Sequence, residues 1–162
     1  MTKTIPLTKG HSTTVDDEDY DELVLYRWHC TIWKDGTVNA CRPKRENGKQ
    51  RTVLMHREIT KAPDGKVVDH KDGDTLNNTR ANLRVCTKSE NNMNKGVAKN
   101  NTSGIRGVSW NKRQKKWEAK IKLNRRTRHL GCFKDINDAA EARRQAEEEL
   151  FGEFSYRNSR SL

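Results

Sequence analysis

The chain has 162 residues, of which 31% are hydrophobic and 34% charged, enough for one domain or two small ones with modest cores. Its 33 Lys plus Arg against 22 Asp plus Glu give a net charge of +11 and a pI near 9.7, the signature of a polyanionic partner. A membrane role is disfavoured, because no apolar run approaches the roughly 20 residues that span a bilayer.

The first residues, MTKTIPLTKGHS, lack the apolar stretch of a secretory signal. A reducing, cytoplasmic setting and free thiols are therefore expected for Cys30, Cys41, Cys86 and Cys132. None of the four forms a Cys-x-x-Cys pair, so no structural zinc is expected. Residues 1–61 read as β-rich. The acidic run DDEDYDE (16–22) suits the first turn of a short helix. YRWHCTIW and TVNACRP flank the turn signal KDG and predict a hairpin, with Trp28 and Trp33 as core residues. RTVLMH predicts a further strand, and APDG (62–65) a turn.

Residues 66–94 hold the most informative stretch. KVVDH and NLRVCT predict two strands. Thr87 followed three residues later by Glu90 is a capping box that starts a helix. The intervening loop is crowded with Asp, Gly and Asn. Residues 95–104, KGVAKNNTSG, have no periodicity and read as a flexible linker.

From residue 105 to 157 the composition turns cationic. Residues 100–134 contain eleven Lys or Arg and one acid, Glu118, a local net charge of +10. IRGVSWN, KKWEAKIKL and TRHLGCF predict three strands, the middle one apolar on one face and cationic on the other. DINDAAEARRQAEEELFG predicts a helix capped by Asp135 or Asn137. Its Ala139, Ala140, Ala142, Ala146 and Leu150 would face the sheet. Trp117 and Phe133 read as core.

The residues of 67–92 suit metal-assisted phosphodiester cleavage. Such chemistry needs oxygen ligands for a divalent ion and a base that is neutral near pH 7–8. Asp69 and His70 are adjacent on a strand, so their side chains diverge to opposite faces. If the following helix folds back, Asn91 completes a metal site with Asp69 and leaves His70 facing the phosphate. Asn82 can hydrogen-bond across the loop and set its shape. No P-loop, G-x-S-x-G or H-E-x-x-H is present.

Asp69-His70, Asn82 twelve residues after the His and Asn91 nine later resemble the HNH motif, and more closely its phage- and intron-encoded homing endonuclease branch. HKDGDTLNNTRANLRVCTKSENN carries the matching Asp-Gly loop, Asn-Asn pair, Asn-Leu and final Glu-Asn. The resemblance implies a ββα-metal fold and a DNA endonuclease. It implies Asp69 and Asn91 as ligands of magnesium or manganese, His70 as general base and Asn82 as the loop-orienting residue. His56, in MHRE, matches a His-Arg that recurs upstream in this branch and is a candidate neighbour of the site. The last HNH position is Asn91, where many members have a His.

Residues 105–143 resemble the AP2 domain through Arg106-Gly-Val, Trp117-x-Ala119-x-Ile121, Leu130-Gly-x-Phe133 and Asp138-Ala-Ala. That resemblance implies binding to double-stranded DNA through the sheet, with contacts at Arg106, Lys120 and Lys122. Trp110, Arg126, Arg128 and His129 are further candidates. Residues 1–61 resemble the β-rich leader of phage HNH proteins, and extend the DNA grip through Lys44, Arg45 and Arg51 or buttress the nuclease. The expected architecture is α+β: an HNH domain over 1–94 (leader 1–61, ββα motif 66–94), a linker over 95–104 and an AP2-like module over 105–157. The expected protein is a phage-encoded enzyme of the host cytoplasm with no obligate protein partner evident. The competing reading is a DNA-binding regulator that does not cut.

Overall fold

The computed structural model describes residues 1–98, 100–124 and 126–156. Lys99 of the expected linker, Arg125 of the cationic window and Arg157 at the end of the expected AP2-like module lie outside them. The fold is mixed and strand-rich. By its internal contacts the chain divides into two compact units, Met1–Lys88 and Ser89–Leu162.

The first unit opens with an antiparallel pair, β1 (Thr2–Pro6) and β2 (Ser12–Asp16). Helix α1 (Asp17–Leu23) follows, with Asp17, Glu18 and Asp19 in its first turn, where acids complement the helix dipole. Strands β3 (His29–Ile32), β4 (Val38–Glu46) and β5 (Lys49–Leu54) form an antiparallel sheet in chain order. The expected strand RTVLMH ends at Leu54, and Met55 instead begins α2 (Met55–Thr60). Met55 and Ile59, four apart, are 0% and 5% exposed. That helical spacing overrides the alternation read through Val53 and Met55. A two-stranded antiparallel ribbon, β6 (Val67–His70) and β7 (Leu83–Cys86), completes the unit.

One apolar core joins the leader to this ribbon: Ile5, Val15, Leu23, Trp28, Met55, Ile59, Val68 and Leu83 all belong to it. Trp28 is buried, its indole N–H donating to the Leu23 carbonyl at 2.8 Å. Trp33, expected in the core, is 52% exposed. It sits in the hairpin turn, where Gly36 N–H donates to its carbonyl, and so lies beyond the buried face of the sheet. A bidentate pair from Arg42 on β4 to Glu58 on α2 fixes the helix that carries His56.

Helix α3 (Lys88–Met93) follows Thr87, and the second unit begins at its second residue, Ser89. Strands β8 (Val108–Asn111), β9 (Lys116–Leu123) and β10 (Arg126–Phe133) form an antiparallel sheet in the order 10-9-8. Helix α4 (Ile136–Phe151) is capped by Asp135, whose side chain accepts from Asn137 N–H. Within the expected linker, Ser103 Oγ donates to the Val108 carbonyl at 2.7 Å and Asn101 Nδ2 to the Ile105 carbonyl at 3.0 Å, which ties 101–104 to the start of β8. Gly107 takes φ +71°. A Cβ there would stand 2.4 Å from both Arg143 Nε and the Lys120 carbonyl, so only glycine fits. Ala139 and Ala146 of α4 are buried as expected. Arg143 and Glu147, two charged residues one turn apart on the same helix, are buried as well, which was not expected.

Candidate active site and nucleic-acid interface

His70 closes β6. Its neighbour Asp69 pairs across the ribbon with Arg84, while His70 itself pairs with Leu83. Strand alternation therefore sends the two side chains to opposite faces. Asp69 is 5% exposed, and the Arg84 guanidinium donates to its Oδ2 at 2.8 Å from Nε and lies at 2.6 Å from Nη2. Arg84 balances a carboxylate that burial would otherwise make costly. A hard oxygen donor of this kind suits magnesium or manganese.

His70 is also 5% exposed. Its Nε2 lies 3.3 Å from Asn78 Oδ1, and its ring meets the His56 ring edge-on at 5.2 Å. Burial lowers the His70 pKa, against weaker opposing contributions from Asn78 and from Asp72, Asp69 and Asp74. His56 is pushed down to about 3, first by burial and then by the positive charge of a protonated His70. Near neutral pH both rings are neutral, as a proton acceptor must be.

The loop between the strands shows why it is so rich in Asp and Asn. Asp72 Oδ1 accepts from Asp74 N–H, Asp74 Oδ1 from Leu76 N–H, and Asp72 Oδ2 from Asn77 Nδ2. These are side-chain turns that fold the loop on itself. Asn82, 8% exposed, spans it: Oδ1 accepts from Asp72 N–H at 3.0 Å and Nδ2 donates to the Asn77 carbonyl at 2.8 Å. The leader holds the loop from outside. Asn78 N–H donates to the Thr14 carbonyl and Thr14 N–H to the Leu76 carbonyl, adding the loop to β2. The acids of α1 grip Arg80, with Asp19 accepting from its Nε at 2.9 Å and Nη2 at 2.6 Å, and Asp16 from its backbone N–H at 2.7 Å. Sequence reasoning missed Arg80, Arg84, Asn78 and Thr13. The acidic run 16–22 was the available signal for Arg80, because such a cluster needs a counter-charge.

The first unit thus sets His56 against His70, with Asp69 on the opposite face of β6 and Asn82 spanning the loop that follows. Asn91 stands at the fourth position of α3, which groups with the second unit. The leader residues Lys44, Arg45 and Arg51 are exposed on the β4–β5 hairpin.

In the second unit, strand register sorts the expected DNA-contacting residues. Lys120 and Lys122 of β9 are exposed and share the sheet's outer face with their cross-strand partners His129 and Thr127. Arg126 and Arg128 pair with Leu123 and Ile121, which face α4, and Arg128 lies 3.9 Å from Glu149 of that helix. Trp110 is 44% exposed but pairs with Trp117 on the helix side, edge-on at 5.1 Å. Arg106 precedes β8 and turns inward. It donates to the Met93 and Asn92 carbonyls and lies 3.8 Å from Glu147. Only Lys120, Lys122 and His129 of the expected set therefore share the outer face. Glu118, the lone acid of the cationic window, lies between them, 2.8 Å from Lys120 Nζ and 3.1 Å from His129 Nε2. Glu118, His129 and Cys132 bring donor atoms within 4.8 Å of one another, a grouping in which the Lys120 ammonium competes with any cation.

A family of HNH endonucleases matches residues 56–93, the span from α2 through α3. Protein 3.8 of Escherichia phage T7 is 32% identical over 93 residues, which cover 57% of this chain and 76% of that protein. The chain carries an HNH endonuclease domain at residues 56–93 and belongs to one family with this phage protein. Another relative, the uncharacterized HNH endonuclease L560 of Acanthamoeba polyphaga mimivirus, is 36% identical over 98 residues. That match covers 60% of this chain and half of the mimivirus protein. No solved structure matches the chain. HNH membership supports nuclease activity on DNA, and both relatives are viral. No helix among the described residues is long and apolar enough to cross a membrane.

Proposed function

We propose that the protein is a metal-dependent DNA endonuclease of the homing type whose second unit acts as an AP2-like DNA-binding module. The observation that carries this reading is that Asp69 and His70, adjacent at the end of β6, are both buried, a carboxylate held by Arg84 on one face and a neutral imidazole on the other. His70 accepts the proton of a water that attacks the scissile phosphate. Asp69 would hold a divalent ion such as magnesium or manganese, for which Asn91 is the further candidate ligand. When bound, the divalent ion supplies positive charge to the departing 3′ oxygen. Asn82 keeps the loop in the shape that presents His70. The outer face of β8–β10 meets the duplex through Lys120, Lys122 and His129, with sheet side chains reaching into a groove and onto phosphates.

The test is cleavage of supercoiled DNA carrying the gene's native flanking region, with and without magnesium, alongside His70→Ala. Relaxed or linear product is expected from the wild type with metal. His70→Ala should cut about 10²–10⁴-fold more slowly with DNA affinity kept. An equal loss of binding would remove His70 from the role of base. Tight binding without product across several metals and source DNAs would make the protein a regulator instead.

A further inference from the structure

Thr13 and Asn78 are each 1% exposed, and both are connected to His70. Thr13 Oγ1 donates its one proton to the Leu76 carbonyl at 2.7 Å. Its oxygen must then accept from Asn78, 2.7 Å away, and only the amide nitrogen of Asn78 can donate. The Asn78 amide is thereby oriented with Oδ1 toward His70 Nε2 at 3.3 Å. An amide oxygen has no proton to give, so the proton in that contact belongs to Nε2. In the neutral ring Nδ1 is then the unprotonated, basic nitrogen.

We infer that Asn78, aligned by Thr13, is a positioning residue that fixes His70 as the Nε2–H tautomer and so selects Nδ1 as the proton acceptor. The functional part rests on the reading of His70 as the base. The lock begins in the leader: Thr13 lies on β2, and the same strand holds the Asn78 backbone through Thr14. His56, edge-on to His70, restricts rotation of the ring. Asn78 is thus distinct in role from Asn82, which contacts backbone of the loop and not the imidazole.

The experiment is a long-range proton–nitrogen correlation on the metal-free full-length protein labelled with nitrogen-15 histidine, above the titration of His70, with cleavage and DNA binding measured in parallel. The wild type should show His70 in a single Nε2–H form. Asn78→Ala and the near-isosteric Thr13→Val should give mixed or reversed tautomers, and Thr13→Ser should restore the wild-type signal. Cleavage by the first two should fall by at least about tenfold, and by no more than the ~10²–10⁴ that the base itself contributes, with DNA affinity unchanged. A wild-type Nδ1–H form would overturn the inference. So would a His70 signal unmoved in both Asn78→Ala and Thr13→Val, or one that does not distinguish Thr13→Val from Thr13→Ser. These readings need no turnover. A wild type that never cleaves would defeat the nuclease assignment whatever the tautomer signal shows.

Discussion

The interior of the first unit around His70 and the interior of the second unit beneath its sheet both contain polar side chains, but of different kinds. The network that touches the His70 ring is neutral, made of two imidazoles, the Asn78 amide and the Thr13 hydroxyl, while the buried Asp69–Arg84 ion pair lies on the opposite face of the strand. Beneath the sheet the buried groups are charged. Glu147, with its side chain 7% exposed, lies 2.7 Å from Arg143 and 3.8 Å from Arg106. A neutral network costs little when every partner is made, and it orients side chains. An ionic cluster is sensitive to the loss of one charge, because its partners stay buried and uncompensated. Orientation is what the candidate active site requires, whereas the second unit uses its buried charges to join α4 to the segment before β8.

The sharpest way to break this contrast is Glu147→Ala. It leaves Arg143 and Arg106, both with pKa lowered first by burial, facing each other without a counter-charge. A loss of about 3–5 kcal/mol is expected in thermal or denaturant unfolding. Glu141→Ala removes an exposed partner of Arg144 and should cost at most about 1 kcal/mol. Equal losses would show that burial does not set the cost.

The counterpart in the first unit is its response to acid. His56 has an ordinary pKa of 6.5 and is pushed down to about 3 in the folded chain. Between these values the unfolded chain binds a proton that the folded chain refuses, so stability is complete above pH 6.5 and falls as pH drops toward 3. The expected slope is about 1.4 kcal/mol per pH unit from this one group. His56→Phe should reduce the measured pH dependence by about one proton, read from denaturant unfolding at a series of pH values. An unchanged dependence would mean that His56 is not buried as a neutral ring.

Much of this organisation was legible in the residues. Asp69-His70, Asn82 and the strand–strand–helix order could be read because turn chemistry, capping and alternation are local. Thr13 and Asn78 could not, since a threonine 65 positions from its partner leaves no local pattern. Arg84 looked like an ordinary strand residue until cross-strand register placed it against Asp69. Trp33 was misplaced because hydrophobicity does not say which residues fall in the turn. The burial of Arg143 and Glu147 could not be read either, because only the packing of α4 beneath the sheet produces it.

Register also separates bases that composition treats as equal, and this gives the smallest predicted effect. Lys122 lies on the outer face, whereas Arg128 shares the helix side with Ile121 and approaches Glu149. Each phosphate contact releases counterions and contributes about 0.9 to the slope of log affinity against log salt. Lys122→Gln should therefore lower that slope by about 0.9, and Arg128→Gln should leave it nearly unchanged even though both variants lose one positive charge. Binding to one duplex across a salt series measures both. A difference between them would mean that duplex DNA meets the outer face, with net charge contributing through geometry. Equal changes would instead indicate a diffuse electrostatic attraction, and the β9–β10 register would then carry no information about the interface.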